Sequence, residues 1–151
     1  MLPFGLLKEM RQLDLEPNVI SFSAAIGACE KGAEQVLAFE LLKEMRQWDI
    51  KPDAISYSFA ISACEKGTDW VLPVELLEDM RQVDLIPDLI PYSAAMSACG
   101  KGAKSMLSHE LLKQMLQLDL KPVVISYSTA ISACEKSAEW WLPLEWLEQM
   151  R

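Results

Sequence analysis

The chain has 151 residues, 51% hydrophobic and 24% charged, a balance that builds a core and excludes a disordered segment. Few glycines among abundant Leu, Met, Glu, Lys and Ala favour helix over sheet, and no apolar run approaches the roughly 18–20 residues that cross a bilayer. The net charge of −8, taken as a sum, argues against nucleic acid, because phosphate contacts need Lys and Arg.

In chain order, residues 1–16 contain Glu9, Asp14 and Glu16 and lack the apolar block and small-residue cleavage site of a leader peptide. They read as one helix and a loop, the second half of a larger unit. That unit then recurs. Proline stands at Pro17, Pro52, Pro87 and Pro122, and cysteine at Cys29, Cys64, Cys99 and Cys134, each a step of 35 residues. Met10, Met45, Met80, Met115 and Met150 keep the same step, as do Asp14, Asp49, Asp84 and Asp119. Residues 17–51 and 52–86 are identical at 20 of 35 positions, so internal repetition sets the architecture. Units 17–51, 52–86 and 87–121 are whole, and 122–151 lacks only its closing loop.

Each unit divides into two helices. In 55–64 the sequence ISYSFAISAC puts Ile55, Phe59 and Ala63 on one stripe and Tyr57, Ile61 and Cys64 on another, the pattern of a helix (A) buried on more than one side. Lys66-Gly67 marks its end, with Gly67 suited to a left-handed residue there. A second helix (B) follows with Leu72, Leu76, Leu77 and Met80 as its apolar stripe, and Ile86-Pro87 closes it because the residue before proline is pushed out of the α region. Pro73 and Pro143 fall where the first unit has Ala38, so helix B is expected to start late there, near Leu72 and Leu142, or to kink. Pro91 replaces Ser21, Ser56 and Ser126 near the start of helix A, where proline is tolerated. One hairpin cannot bury its faces alone, but stacked neighbours can, which gives an all-α solenoid open at both ends.

Tetratricopeptide units, at about 34 residues, carry a Trp-Leu-Gly-Tyr pattern that is absent here. Lys51-Pro52-Asp53, then Ile55-Ser56-Tyr57-Ser58, Ile61-Ser62-Ala63-Cys64 and Glu75-Leu76-Leu77 with Met80 closely resemble the pentatricopeptide repeat in its plain 35-residue form, over essentially the whole chain. The resemblance implies a right-handed superhelix of antiparallel helix-turn-helix units. It also implies a single-stranded RNA partner read at about one base per repeat, in RNA processing, stability or translation. It places base recognition on Ser23, Ser58, Ser93 and Ser128, each paired with the residue after the next repeat-opening proline: Asp53 for Ser23, Asp88 for Ser58, Val123 for Ser93. A small hydroxyl paired with Asp is associated in the family with guanine. The chemistry agrees, since carboxylates only accept and guanine offers N–H donors. The first two repeats are therefore expected to prefer guanine and the third to discriminate poorly. The resemblance further assigns base clamping to Ile20, Ile55, Ile90 and Ile125, and phosphate contact to Lys31, Lys66, Lys101 and Lys136. Family members mostly work in mitochondria or chloroplasts, though no residue here carries an address.

Other readings of the same residues stand beside these. The serines early in helix A serve as caps as readily as base contacts, Ser21, Ser56 and Ser126 foremost. The isoleucines fit an ordinary core, and the lysines fit solvated partners of Glu30, Glu65 and Glu135. The cysteines are spaced for neither a disulfide framework nor zinc and read as packing. His109 has no nucleophile or second His beside it in the sequence, so no catalytic role, metal or cofactor is expected. Trp48, Trp70, Trp140, Trp141 and Trp146 fall in or beside helix B, which suits packing between repeats or a patch for a protein partner. The A segments carry five acids against four lysines and the rest of the chain 17 acids against 10 bases, so most negative charge lies away from the A side. The alternative function is a protein-interaction scaffold, with self-association through the open ends.

Overall fold

The computed structural model describes residues 2–67 and 69–139 together with Trp141, Leu144 and Glu148. Among them the elements are eight helices: α1 (Leu2–Gln12), α2 (Val19–Gly32), α3 (Gln35–Gln47), α4 (Ala54–Glu65), α5 (Val71–Gln82), α6 (Leu89–Lys101), α7 (Ser105–Gln117) and α8 (Val124–Ser137). The even-numbered helices are the A helices of the sequence reading and the odd-numbered ones the B helices. Trp140, Pro143 and Trp146, and the helix start near Leu142, lie outside the described residues.

Local chemistry fixes each boundary. Asn18 and Asp53 turn their side-chain oxygens onto the backbone N–H of Ser21 and Ser56, and Asp88 onto that of Ile90. The caps are therefore Asn18, Asp53 and Asp88, not the serines. Ser21 closes a capping box from the third helical position of α2, reaching back to the Asn18 backbone. Helix B ends are uniform. Leu15, Ile50, Leu85 and Leu120 donate their N–H to the carbonyls of Met10, Met45, Met80 and Met115, across the left-handed Asp14, Asp49, Asp84 and Asp119. This six-to-one bond is a Schellman closure, and it accounts for the recurrence of Met, Asp and an aliphatic residue together.

The A helices α2, α6 and α8 end in the same way, with one correction to the expectation from sequence. No glycine in the described residues has positive φ; the left-handed residues are Ala33, Ala103 and Ala138, with φ of 56°, 53° and 60°. Glu34, Lys104 and Glu139 then donate to the carbonyls of Cys29, Cys99 and Cys134. Gly32 and Gly102 precede the left-handed position instead of occupying it, and Gly67 has no left-handed backbone. Pro73 is the third residue of α5, where its missing N–H has no helical acceptor, and α5 starts one repeat position later than α3 and α7. Pro91 holds the same place in α6.

The A helices α2, α4, α6 and α8 lie side by side, and the B helices after α1 each pack into the notch between two of them: α3 on α2 and α4, α5 on α4 and α6, α7 on α6 and α8. Small residues let the A row close up. A Cβ on Gly27 would sit 3.2 Å from Phe59, and one on Gly100 2.9 Å from Thr129. The core runs unbroken through the stack, with Phe22, Ile26, Tyr57, Ile61, Tyr92 and Met96 from A helices and the Leu-Leu pairs and methionines from B helices. Along the outer row Arg46 meets Asp79 at 3.1 Å and Arg81 meets Gln114 at 3.1 Å, equivalent positions one repeat apart. Arg46 also donates to the Tyr57 hydroxyl. Phe22 has no such hydroxyl, and Arg11 lies instead over the Trp48 ring at 4.9 Å. Trp48 meets Phe22 edge-on at 5.2 Å, and Trp70 takes Lys104 over its face at 4.7 Å, so both pack between repeats as their place beside helix B suggested. His109 is buried in α7. No helix of the described residues is long and apolar enough to cross a membrane.

Candidate nucleic-acid interface

The second residue of each A helix is an isoleucine that faces solvent. Ile20, Ile55, Ile90 and Ile125 are 76%, 56%, 59% and 68% exposed. Burying an isoleucine is worth roughly 1.5–3 kcal/mol, and here that gain is forgone four times at one register. The reading of these residues as ordinary core is overturned. They form an apolar ladder along one edge of the A row, one rung per repeat.

Of the paired polar positions, the serines lie one helical turn further along and their partners at the N-cap of the next A helix, and the tiers differ. Ser23 is nearly covered, at 9% exposed, and its hydroxyl oxygen lies 2.8 Å from that of fully buried Ser56. Ser56 donates its hydroxyl to Asp53 Oδ1 at 2.7 Å, and the same oxygen accepts the Ser56 N–H at 2.8 Å. Ser23 and Asp53 are thus joined through Ser56, whose hydroxyl bridges them where the sequence alone suggests a cap. In the second tier Asp88 accepts the Ile90 N–H at 3.0 Å, Pro91 replaces the bridging serine, and Ser58 is half-buried. In the third, half-buried Ser93 is paired with Val123, which gives α8 no side-chain cap, and the buried Ser126 hydroxyl has no hydrogen-bond partner. Ser128 is exposed. The Asp-x-x-Ser spacing was the legible sign of the bridge, since it puts a hydroxyl over the carboxylate that caps its own helix.

The four lysines are all exposed at the far end of the A helices. Lys101 donates to the Glu65 carbonyl and Lys136 to the Gly100 carbonyl at 3.4 Å, so each reaches the negative end of the helix before it. Between α6 and α8 the three kinds of residue meet: Lys101, Ile125, Ser128, Ser132 and Lys136 line one groove of about 320 Å³. Glycine at position 100 stands where the other repeats have Glu30, Glu65 and Glu135, so the end of α6 brings no acid to this groove. Asp53 also opens onto the loop edge, where with Arg46, Lys51 and Tyr57 it lines a groove of about 610 Å³. The four cysteines are buried, and burial pushes the thiol of Cys64 up to about 12 and those of Cys99 and Cys134 up to about 11, with Asp69 and Glu139 adding to the rise at Cys64 and Cys134. No group of His, Cys, Asp and Glu among the described residues is placed to hold a metal ion.

Stacked antiparallel hairpins with one row of helices carrying a repeated set of side chains define an α-solenoid repeat protein. The sequence pattern of the pentatricopeptide repeat domain matches residues 5–66 and 75–137, and the chain belongs to the pentatricopeptide repeat family. Among solved structures it is similar to the PPR domain of Arabidopsis thaliana protein-only RNase P 1 in complex with tRNA, with a TM-score of 0.84 and 12% identity over 99% of this chain and 79% of that one. It is similar also to the pentatricopeptide repeat protein PPR10 from maize, with a TM-score of 0.81 and 16% identity over 95% of this chain. PPR10 in complex with an 18-nt psaJ RNA element gives a TM-score of 0.70 at 19% identity. The chain spans about a fifth of the maize protein, 21% of its length. Among curated proteins none matches the sequence.

Proposed function

We propose that the chain binds single-stranded RNA along its row of A helices, at about one base for each of the repeats 17–51, 52–86, 87–121 and 122–151. The observation that carries this reading is the exposed isoleucine ladder. Four aliphatic side chains held in water at one register offer one apolar face per repeat for bases to lie against, with hydroxyls a turn further along, the capping carboxylates just before them and lysines beyond. Two similar structures are described as complexes with RNA, which supports the same partner. The action is occupancy: the bound stretch is shielded or remodelled in RNA processing, stability or translation, with no chemistry by this chain. By family the site of action is a mitochondrion or chloroplast.

Base choice follows the paired positions. Ser23 with Asp53 and Ser58 with Asp88 favour guanine, and Ser93 with Val123 discriminates weakly. Titration of the protein with short oligoribonucleotides, rich in G or free of it, at low salt tests the proposal. Preference for GG, lost when Asp53 and Asp88 become Asn, is the expected result. Equal affinity for both oligonucleotides sinks the base assignment, and no affinity for either sinks the RNA reading. A protein scaffold is the second reading, favoured by an apolar groove of about 460 Å³ between α1 and α2, lined by Leu2, Leu6, Met10 and Ala24 among others. Partners recovered on that face in the absence of RNA affinity would establish it instead.

A further inference from the structure

The Ser23–Ser56–Asp53 chain fixes more than position. A serine hydroxyl has one proton. Ser56 places its proton on Asp53 Oδ1, so in the 2.8 Å contact with Ser23 it is Ser23 that donates. Both protons then point inward, between α2 and α4. Ser23, 9% exposed, is left with lone pairs and no uncommitted proton, and Asp53 keeps Oδ2. The tier offers acceptors and no donor.

We propose that Ser56 is a positioning residue that sets this polarity, so that the first repeat takes a base edge with two N–H donors, as guanine has, and refuses an edge that needs a donor, as adenine N1 does. The inference rests on the base-reading function proposed above. A serine free to rotate would serve either edge, donating to adenine or accepting from guanine. A serine whose proton is committed serves one. The other tiers lack the device: Pro91 has neither hydroxyl nor N–H, so nothing at its position commits the Ser58 proton, and at the fourth A helix Val123 gives Ser126 no carboxylate. Selectivity therefore falls in order along the stack, steepest at the first repeat, in place of two equal guanine tiers.

Fluorescence anisotropy with oligoribonucleotides carrying G or A at each position in turn measures the ratio of affinities at the base facing each repeat. In Ser56→Ala the affinity for G stays within about twofold while that for A rises, and the G-to-A ratio at one position falls about tenfold, the scale of an unpaired buried polar group. Ser56→Thr restores the ratio. Pro91→Ser, which builds the missing link beside Asp88, raises the ratio at the neighbouring base and does not depend on how Ser56→Ala folds. An unchanged ratio in both Ser56→Ala and Pro91→Ser overturns the inference, as does an equal loss of affinity for G and A that Thr does not rescue. Asp53→Asn separates the two levels. If it abolishes the preference while Ser56→Ala does not, only the role of Ser56 fails; if it too leaves the preference intact, the base-reading proposal fails with it.

Discussion

Truncating Ile55 to alanine separates a side chain kept for packing from one kept for a ligand. Ile55 is 56% exposed, so less than half of it is shielded by protein. Full burial would be worth roughly 1.5–3 kcal/mol, which scales here to about 1 kcal/mol, and alanine returns about 0.4 kcal/mol in helix propensity. The net cost is about 0.5 kcal/mol, or about 1–2 °C in Tm for a chain of this size. Binding stands on a different scale. Ile55 lies between the rungs at Ile20 and Ile90, so if the ladder clamps bases as proposed its loss touches those on both sides, and contacts with a base face are worth about 1–3 kcal/mol each. Affinity for a G-containing oligoribonucleotide should fall about tenfold or more while the melting curve, followed by circular dichroism, barely moves. Affinity within twofold of the parent would refute the ladder as a clamp. A drop in Tm above about 5 °C would show that the side chain is core after all.

Ala103→Gly relieves a non-glycine residue at φ 53° and should stabilise the protein by about 1 kcal/mol, with Ala33→Gly adding a similar amount, read as an upward shift in the urea midpoint; a fall in the midpoint would show that these turns are not strained. Val123→Asp supplies the cap that α8 lacks and an acceptor for the buried Ser126 hydroxyl, so Tm should rise by about 2–4 °C for about 1 kcal/mol, whereas Ser126→Ala in that background should return part of the gain. The thiols of Cys64, Cys99 and Cys134 ionise at higher pH in the fold than in the open chain because burial disfavours the thiolate. Their contribution to stability is complete below about pH 9 and drains away as pH rises toward 11 and 12, since there the unfolded chain binds fewer protons; a midpoint that is flat across that window in the parent and in a Cys64→Ala variant alike would contradict this.

The period, the hairpin and the family were legible because they are one-dimensional: a step of 35 residues can be counted along the string. Exposure of the isoleucines was not, because an aliphatic residue at the second position of a helix reads the same whether a neighbour covers it or water does. The caps were displaced by three residues for a related reason. Serine and aspartate both cap well, and only the geometry shows Asp53 as the cap with Ser56 folded back upon it. The left-handed alanines defied composition, since at Ala33 and Ala103 a glycine stands one position away. The link from Ser23 to Ser56 joins side chains 33 residues apart, in different repeats, and no local spacing rule reaches that far.

The seating of α3, α5 and α7, each in a notch between two A helices, has a mechanical consequence. A hairpin borrows part of its apolar lining from the next, so the array melts like a zip, opening from an end and parting into shorter intact stretches where one seam is weak. The same borrowing makes the stack modular. Inserting or excising one whole period would keep the alternation of A and B helices in register, and on the reading proposed above would lengthen or shorten the bound strand by a single nucleotide.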